Sequence, residues 1–137
     1  MDNDKKVITA HEFQLIGQDG NIRAVLTSAD GGTDLTFSGI GGKPQLKLSA
    51  TGDGLASLNM YENDGREKIS ISVDDQGTHV HLAGAGKQES YLFLKNTGAS
   101  GLVLTDRKGN RRLEAKIGPD AEPDITIYPV NDEEKKL

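Results

Sequence analysis

Apolar residues recur in pairs, two positions apart, along almost the whole chain. The pairs are Phe13/Leu15, Leu35/Phe37, Leu58/Met60, Val80/Leu82, Leu102/Leu104 and Ile125/Ile127, and their first members lie 22, 23, 22, 22 and 23 residues apart. Between pairs stands a turn containing Gly: Asp19-Gly20, Gly41-Gly42, Asp64-Gly65, Ala85-Gly86 and Lys108-Gly109. The fourth and sixth residues after that Gly are mostly apolar again (Ala24/Leu26, Leu46/Leu48, Ile69/Ile71, Ser90/Leu92, Leu113/Ala115), while the third is long and polar (Arg23, Gln45, Lys68, Glu89, Arg112). A period of two puts alternate side chains on opposite faces of a strand, so each unit predicts a hairpin with one apolar and one polar face. The first unit, Glu12 to Leu26, shows the pattern most fully. Its Asp19-Gly20 pair predicts a two-residue hairpin turn, because Gly accepts a positive φ at little cost.

A second set of turns joins the units: 28–33, Thr51 to Gly54, Asp74 to Gly77, Asn96 to Ser100 and Gly118 to Pro123. Connections this short require antiparallel neighbours, since a parallel crossover needs a dozen residues or more. No stretch carries a helical period with caps. The expected fold is all-β, an antiparallel meander of six 22–23-residue hairpin repeats. An open meander would expose an entire apolar face and two edges. Closure into a shallow barrel of about twelve strands removes both problems. The alternative is a homotrimeric β-prism or fibre segment, in which three chains pack their apolar faces together. The domain is expected to span residues 7–130, after a disordered 1–6 and before a charged tail at 131–137.

Phe13, Leu15, Gly20, Arg23, Ala24 and Leu26, with the approach Ile8 to Glu12, resemble a bacterial β-hairpin repeat family with units of the form F-x-L-x-D-x-x-G-x-x-R-A-x-L. Later units keep the Gly and the apolar positions but lose the Arg-Ala step. The resemblance implies a β-flower barrel, similar in outline to the Tubby C-terminal barrel, a phosphoinositide binder. That further likeness concerns the fold and transfers no site.

Composition narrows the function. Hydrophobic residues are 34% and aromatics 4% of the 137, with no Trp, which is a thin supply for a thick core. The deficit favours a shallow core, or one completed by other subunits or a ligand. A net charge of −5 argues against nucleic acid, which calls for a basic excess. With no Cys, disulfides and thiolate chemistry are excluded. No apolar run approaches the roughly 18 residues of a membrane span. The chain as given reads as soluble; its localisation stays open, the cytoplasm and the soluble domain of an anchored protein both being compatible.

Candidate chemistry is sparse. Basic residues gather at the hairpin tips (Lys43, Arg66, Lys68, Lys87, Arg107, Lys108, Arg111, Arg112), while the linking turns are acidic (Asp30, Asp53, Asp74, Asp75, Asp120, Glu122). A basic rim could meet lipid headgroups or another anionic ligand at about 1 kcal/mol per cation. The plainer alternative is turn solubility and edge protection. The apolar lumen of a wide barrel could hold an acyl chain. Tyr91, Phe93 and Val103 interrupt the polar face and form a candidate contact patch for another copy of the chain. His79 and His81 flank Val80 on one strand face, where a third ligand would complete a zinc or copper site. Their position on the polar side reads more simply as solvent-exposed histidines. No turn has EF-hand spacing, no Ser lies in a nucleophile elbow, and Gly39 to Lys43 lacks P-loop spacing. The sequence therefore predicts no catalytic residues, no metal, no cofactor and no enzyme, but a binding or interaction module or a structural trimer.

Overall fold

The structure is a computed structural model and describes residues 6–120 and 122–130. Eleven strands follow one another: β1 (Glu12–Ile16), β2 (Ile22–Ala29), β3 (Gly32–Ser38), β4 (Pro44–Ala50), β5 (Ala56–Tyr61), β6 (Glu67–Val73), β7 (Gly77–Ala83), β8 (Glu89–Lys95), β9 (Ser100–Thr105), β10 (Arg111–Ile117) and β11 (Pro123–Ile127). They form one sheet in chain order, every neighbouring pair antiparallel. No helix occurs among the described residues. The expectations for the first five residues and for the tail at 131–137 lie outside the described residues.

The sheet is open. Among the described residues only consecutive strands touch, so β1 and β11 are unpaired on their outer sides there and the sheet is not closed into the expected barrel. Ten strand spacings of about 4.8 Å put these edges roughly 48 Å apart along the sheet. Closure would require coiling and stagger that bring them into hydrogen-bonding contact.

The register keeps like residues in line. One row crosses all eleven strands as Phe13, Leu26, Leu35, Leu48, Leu58, Ile71, Val80, Leu92, Leu102, Ala115 and Ile125. Every member is apolar. A second row beside it, from Leu15 and Ala24 to Leu113 and Ile127, is apolar except at Ser90. A third, toward the linking turns, is smaller and more mixed: Thr33, Ala50, Ala56, Val73, Thr78, Leu94, Ser100, Ile117 and Pro123. The opposite face carries Asp34, Ser49, Ser57, Ser72, Lys47, Asn59 and Ser70 in the same registers.

Loop geometry departs from the expectation at the first tip. Asp19-Gly20 belongs to a five-residue loop closed by Gly17 N–H donating to Asn21 C=O at 2.8 Å, not to a two-residue turn. The same closure recurs from Gly39 to Lys43, Glu62 to Arg66 and Asp106 to Asn110. The two-residue turn occurs instead between β2 and β3, where Asp30 (φ 52°) and Gly31 (φ 77°) both take the left-handed conformation that such a turn demands.

Candidate functional site

Single-layer folding leaves three surfaces to weigh: the apolar face, the polar face, and the two rims where the turns lie.

No described residue covers the apolar face. Among the described residues the buried hydrophobic side chains are only Ala24 and Phe93, and Phe93 belongs to the other face. Along the central row Phe13 is 46% exposed, Leu48 39%, Ile71 42% and Leu92 44%. Two shallow open hollows lie on this face. One, about 440 Å³, is floored by Leu35, Leu48, Leu58 and Ile71. The other, about 470 Å³, is floored by Leu92, Leu102, Ala115 and Ile125. Both lack charged residues apart from the edge of Lys116, and neither is an enclosed lumen.

The polar face holds one dense cluster, on β7–β10. Register sets Tyr91 beside Val103 and Phe93 beside Gly101. Tyr91 and Phe93 stack at 5.5 Å, and His79 lies parallel to Tyr91 at 5.9 Å. His79 Nδ1 and the Tyr91 hydroxyl are 2.6 Å apart, and His79 Nε2 is 3.4 Å from Asp74. His81 meets Tyr91 edge-on and approaches Glu89 at 3.6 Å. The structure thus brings the candidate patch together and also changes its meaning. Phe93 is 7% exposed, so it packs inside the face and offers no contact surface. The expectation of two solvent-facing histidines fails for His79, whose side chain is 18% exposed because Tyr91 covers it. No group of three or more His, Cys, Asp or Glu able to hold a metal occurs among the described residues.

Glu114, beside Val103, is 4% exposed and is paired with both Arg111 and Lys116. The Lys116 hydrogen bond, helped by Arg111, holds its carboxyl below the usual range. Arg111, expected on a free basic rim, is therefore half of an ion pair on the polar face.

The hairpin tips all lie at one end of the strands and the linking turns at the other. Half of the expected tip cations, Arg66, Lys68, Arg111 and Arg112, are in ion pairs. Beside four tips the ladder shifts by one residue, leaving Arg23, Gln45, Lys68 and Arg112 unmatched in the register. Such a bulge re-aims the extra side chain. Here each one reaches the next unit. Arg23 donates to Gly39 C=O at 3.3 Å and Gln45 to Asn63 at 3.0 Å. Lys68 donates to Gly84 C=O at 3.0 Å and Arg112 to Pro129 C=O at 3.1 Å. The fourth tip has no bulge, and Lys87 N–H donates to Arg107 C=O at 3.0 Å instead. The long polar residue that recurs after each Gly is thus mostly a tether between neighbouring tips. The recurrence was visible in the sequence; its use depends on a bulge that no residue pattern announces.

Arg66 pairs with Glu62 and Asp64, and Arg112 with Asp106 at 2.6 Å. Backbone N–H groups of Asn110 and Lys108, together with Arg112, lower the Asp106 carboxyl to about 2. The tip cations with no ion pair among the described residues are Lys43, Lys87, Arg107 and Lys108.

No helix among the described residues is long and apolar enough to cross a membrane. No family model and no curated protein matches the chain.

Proposed function

We propose that this protein is a non-catalytic structural module that assembles with copies of itself, three chains packing their apolar faces around a common axis. The observation that carries this reading is the continuous apolar row across eleven strands, which no described residue covers. Strands of mostly six or seven residues, about 22 Å long, across a 48 Å sheet make a face of about 1,000 Å². That exceeds the largest apolar patch of an ordinary monomer and is comparable to one side of a standard interface. At about 25 cal/mol per Å² its burial is worth roughly 25 kcal/mol per chain. Association costs about 4–15 kcal/mol, so burial wins.

Strand length favours three copies. A triangular prism with sides of about 22 Å has faces about 6 Å from its axis, close to half the usual 10 Å spacing of packed sheets. One layer of side chains from each sheet then fills the interior. The small, mixed third row falls near the corners, where water still reaches, and that suits its Thr and Ser residues.

Native mass spectrometry tests the reading. The expected mass is three times 14.7 kDa. Twice that mass would indicate a face-to-face sandwich and overturn the prism. A monomer would overturn self-assembly and favour the second reading, supported by the two edges left unpaired among the described residues, in which β1 and β11 meet and close a barrel. In that form a bound acyl chain, or an anionic lipid at the basic rim, would appear as an added mass.

A further inference from the structure

We infer that the two rims of the sheet are partners for one another, so that the hairpin tips of one copy pair with the linking turns of the next. This rests on the homotrimer reading and adds the order and polarity of the copies. A threefold axis running from β1 to β11 joins the tip end of each sheet to the linking end of its neighbour. Without axial displacement, a tip stands at the height of the two linking turns that flank it in strand order.

The charges left over in the single chain match at those heights. Lys43, in the β3–β4 tip, stands level with the β2–β3 and β4–β5 turns, which carry Asp30 and Asp53. Lys87, in the β7–β8 tip, stands level with the β6–β7 turn and its Asp75. Arg107 and Lys108, in the β9–β10 tip, stand level with the β10–β11 turn, which carries Asp120 and Glu122. Lys43, Lys87, Asp30, Asp53, Asp75, Asp120 and Glu122 are all exposed, and none has an ion pair among the described residues. By contrast, the β1–β2 and β5–β6 tips are neutralised internally, by Asp19 with Arg23 and by Glu62 and Asp64 with Arg66. Unspent cations thus coincide with unspent acids; in the β9–β10 tip Asp106 is taken up by Arg112, so Arg107 and Lys108 stay unspent. Tip-to-tip contact would instead set Lys87, Arg107 and Lys108 against like charges, a repulsive arrangement.

The absence of cysteine makes thiol cross-linking a clean test. Residues 108 and 120 lie at opposite ends of β10, about 24 Å apart, beyond the reach of a disulfide within one chain. The double variant Lys108→Cys/Asp120→Cys, oxidised as the intact assembly, is expected to run as a covalently closed trimer on a non-reducing gel. Lys108→Cys alone should stay a monomer on that gel. A native trimer that gives no ladder in the double variant, or disulfide dimers in the single one, would overturn the rim pairing and leave the trimer standing. A native monomer would overturn both. A charge reversal supplies the independent reading. Arg107→Glu/Lys108→Glu should weaken assembly about tenfold or more at low salt, with recovery on adding Asp120→Lys/Glu122→Lys. Equal assembly by all these variants would also overturn the pairing.

Discussion

The ring of Phe93 lies across the backbone of Gly101 on the next strand, with its Cζ 2.7 Å from the place a Gly101 Cβ would occupy. Glycine there is a packing requirement, since the same Cβ would also meet the Ala115 carbonyl oxygen at 2.8 Å and Lys116 Cγ at 3.0 Å. Large rings commonly cover a glycine in this way across a sheet. Gly101→Ala is therefore expected to lower stability by about 1–3 kcal/mol, the usual cost of overpacking. Urea unfolding checks it, and a variant as stable as the parent would show that the ring moves aside freely.

The bulge tether at Lys68 offers a second check. Its ammonium donates to Gly84 C=O at 3.0 Å and stands 3.5 Å from Glu62. The exposed ion pair contributes little, so the hydrogen bond is the main loss in Lys68→Met, about 1 kcal/mol. The loss should be local, so amide exchange at Gly84 and Gln88 should accelerate while β2 and β3 keep their protection. Uniform acceleration would argue against a tether.

Leu58 lies in the central apolar row and Ser57 on the face behind it. Leu58→Asp puts a carboxylate where three copies are proposed to meet, and one unpaired buried charge costs several kcal/mol. Light scattering should find Leu58→Asp dissociated and Ser57→Asp assembled. If both remain trimers, the apolar row does not face the axis.

Acid should act through the turn carboxylates. Asp106, lowered to about 2 chiefly by backbone N–H donors, binds fewer protons folded than unfolded between its ordinary value of 3.8 and about 2. Its contribution is therefore complete above pH 4 and disappears as pH falls through about 2. Asp19, Asp64 and Asp74 are lowered in the same direction, mainly by hydrogen bonds from their own turns. Stability measured by denaturant midpoint should be level from pH 5 to 7 and decline below about 4. Asp106→Asn should flatten part of that decline. A midpoint indifferent to pH down to 2 would contradict these turn geometries.

The strands, their order and the residues that share a face are legible from the residue pattern. Those follow from a period of two and from short connections, both local properties of the chain. Phe13/Leu15, Leu35/Phe37 and their later counterparts stand in the expected face at the expected spacing. The tertiary structure alone decided what depends on residues far apart. Whether β1 meets β11 depends on twist and stagger summed over ten pairings, and no single repeat carries that sum. The use of Arg23, Gln45, Lys68 and Arg112 depends on a one-residue slip in the ladder, which frees a side chain to reach the next tip. Phe93 reads as exposed from its place on the polar face, and it is buried because Gly101, on a separate strand, leaves room for a ring. A basic rim likewise becomes four unspent cations only after folding has brought the other tip charges into contact with their carboxylates.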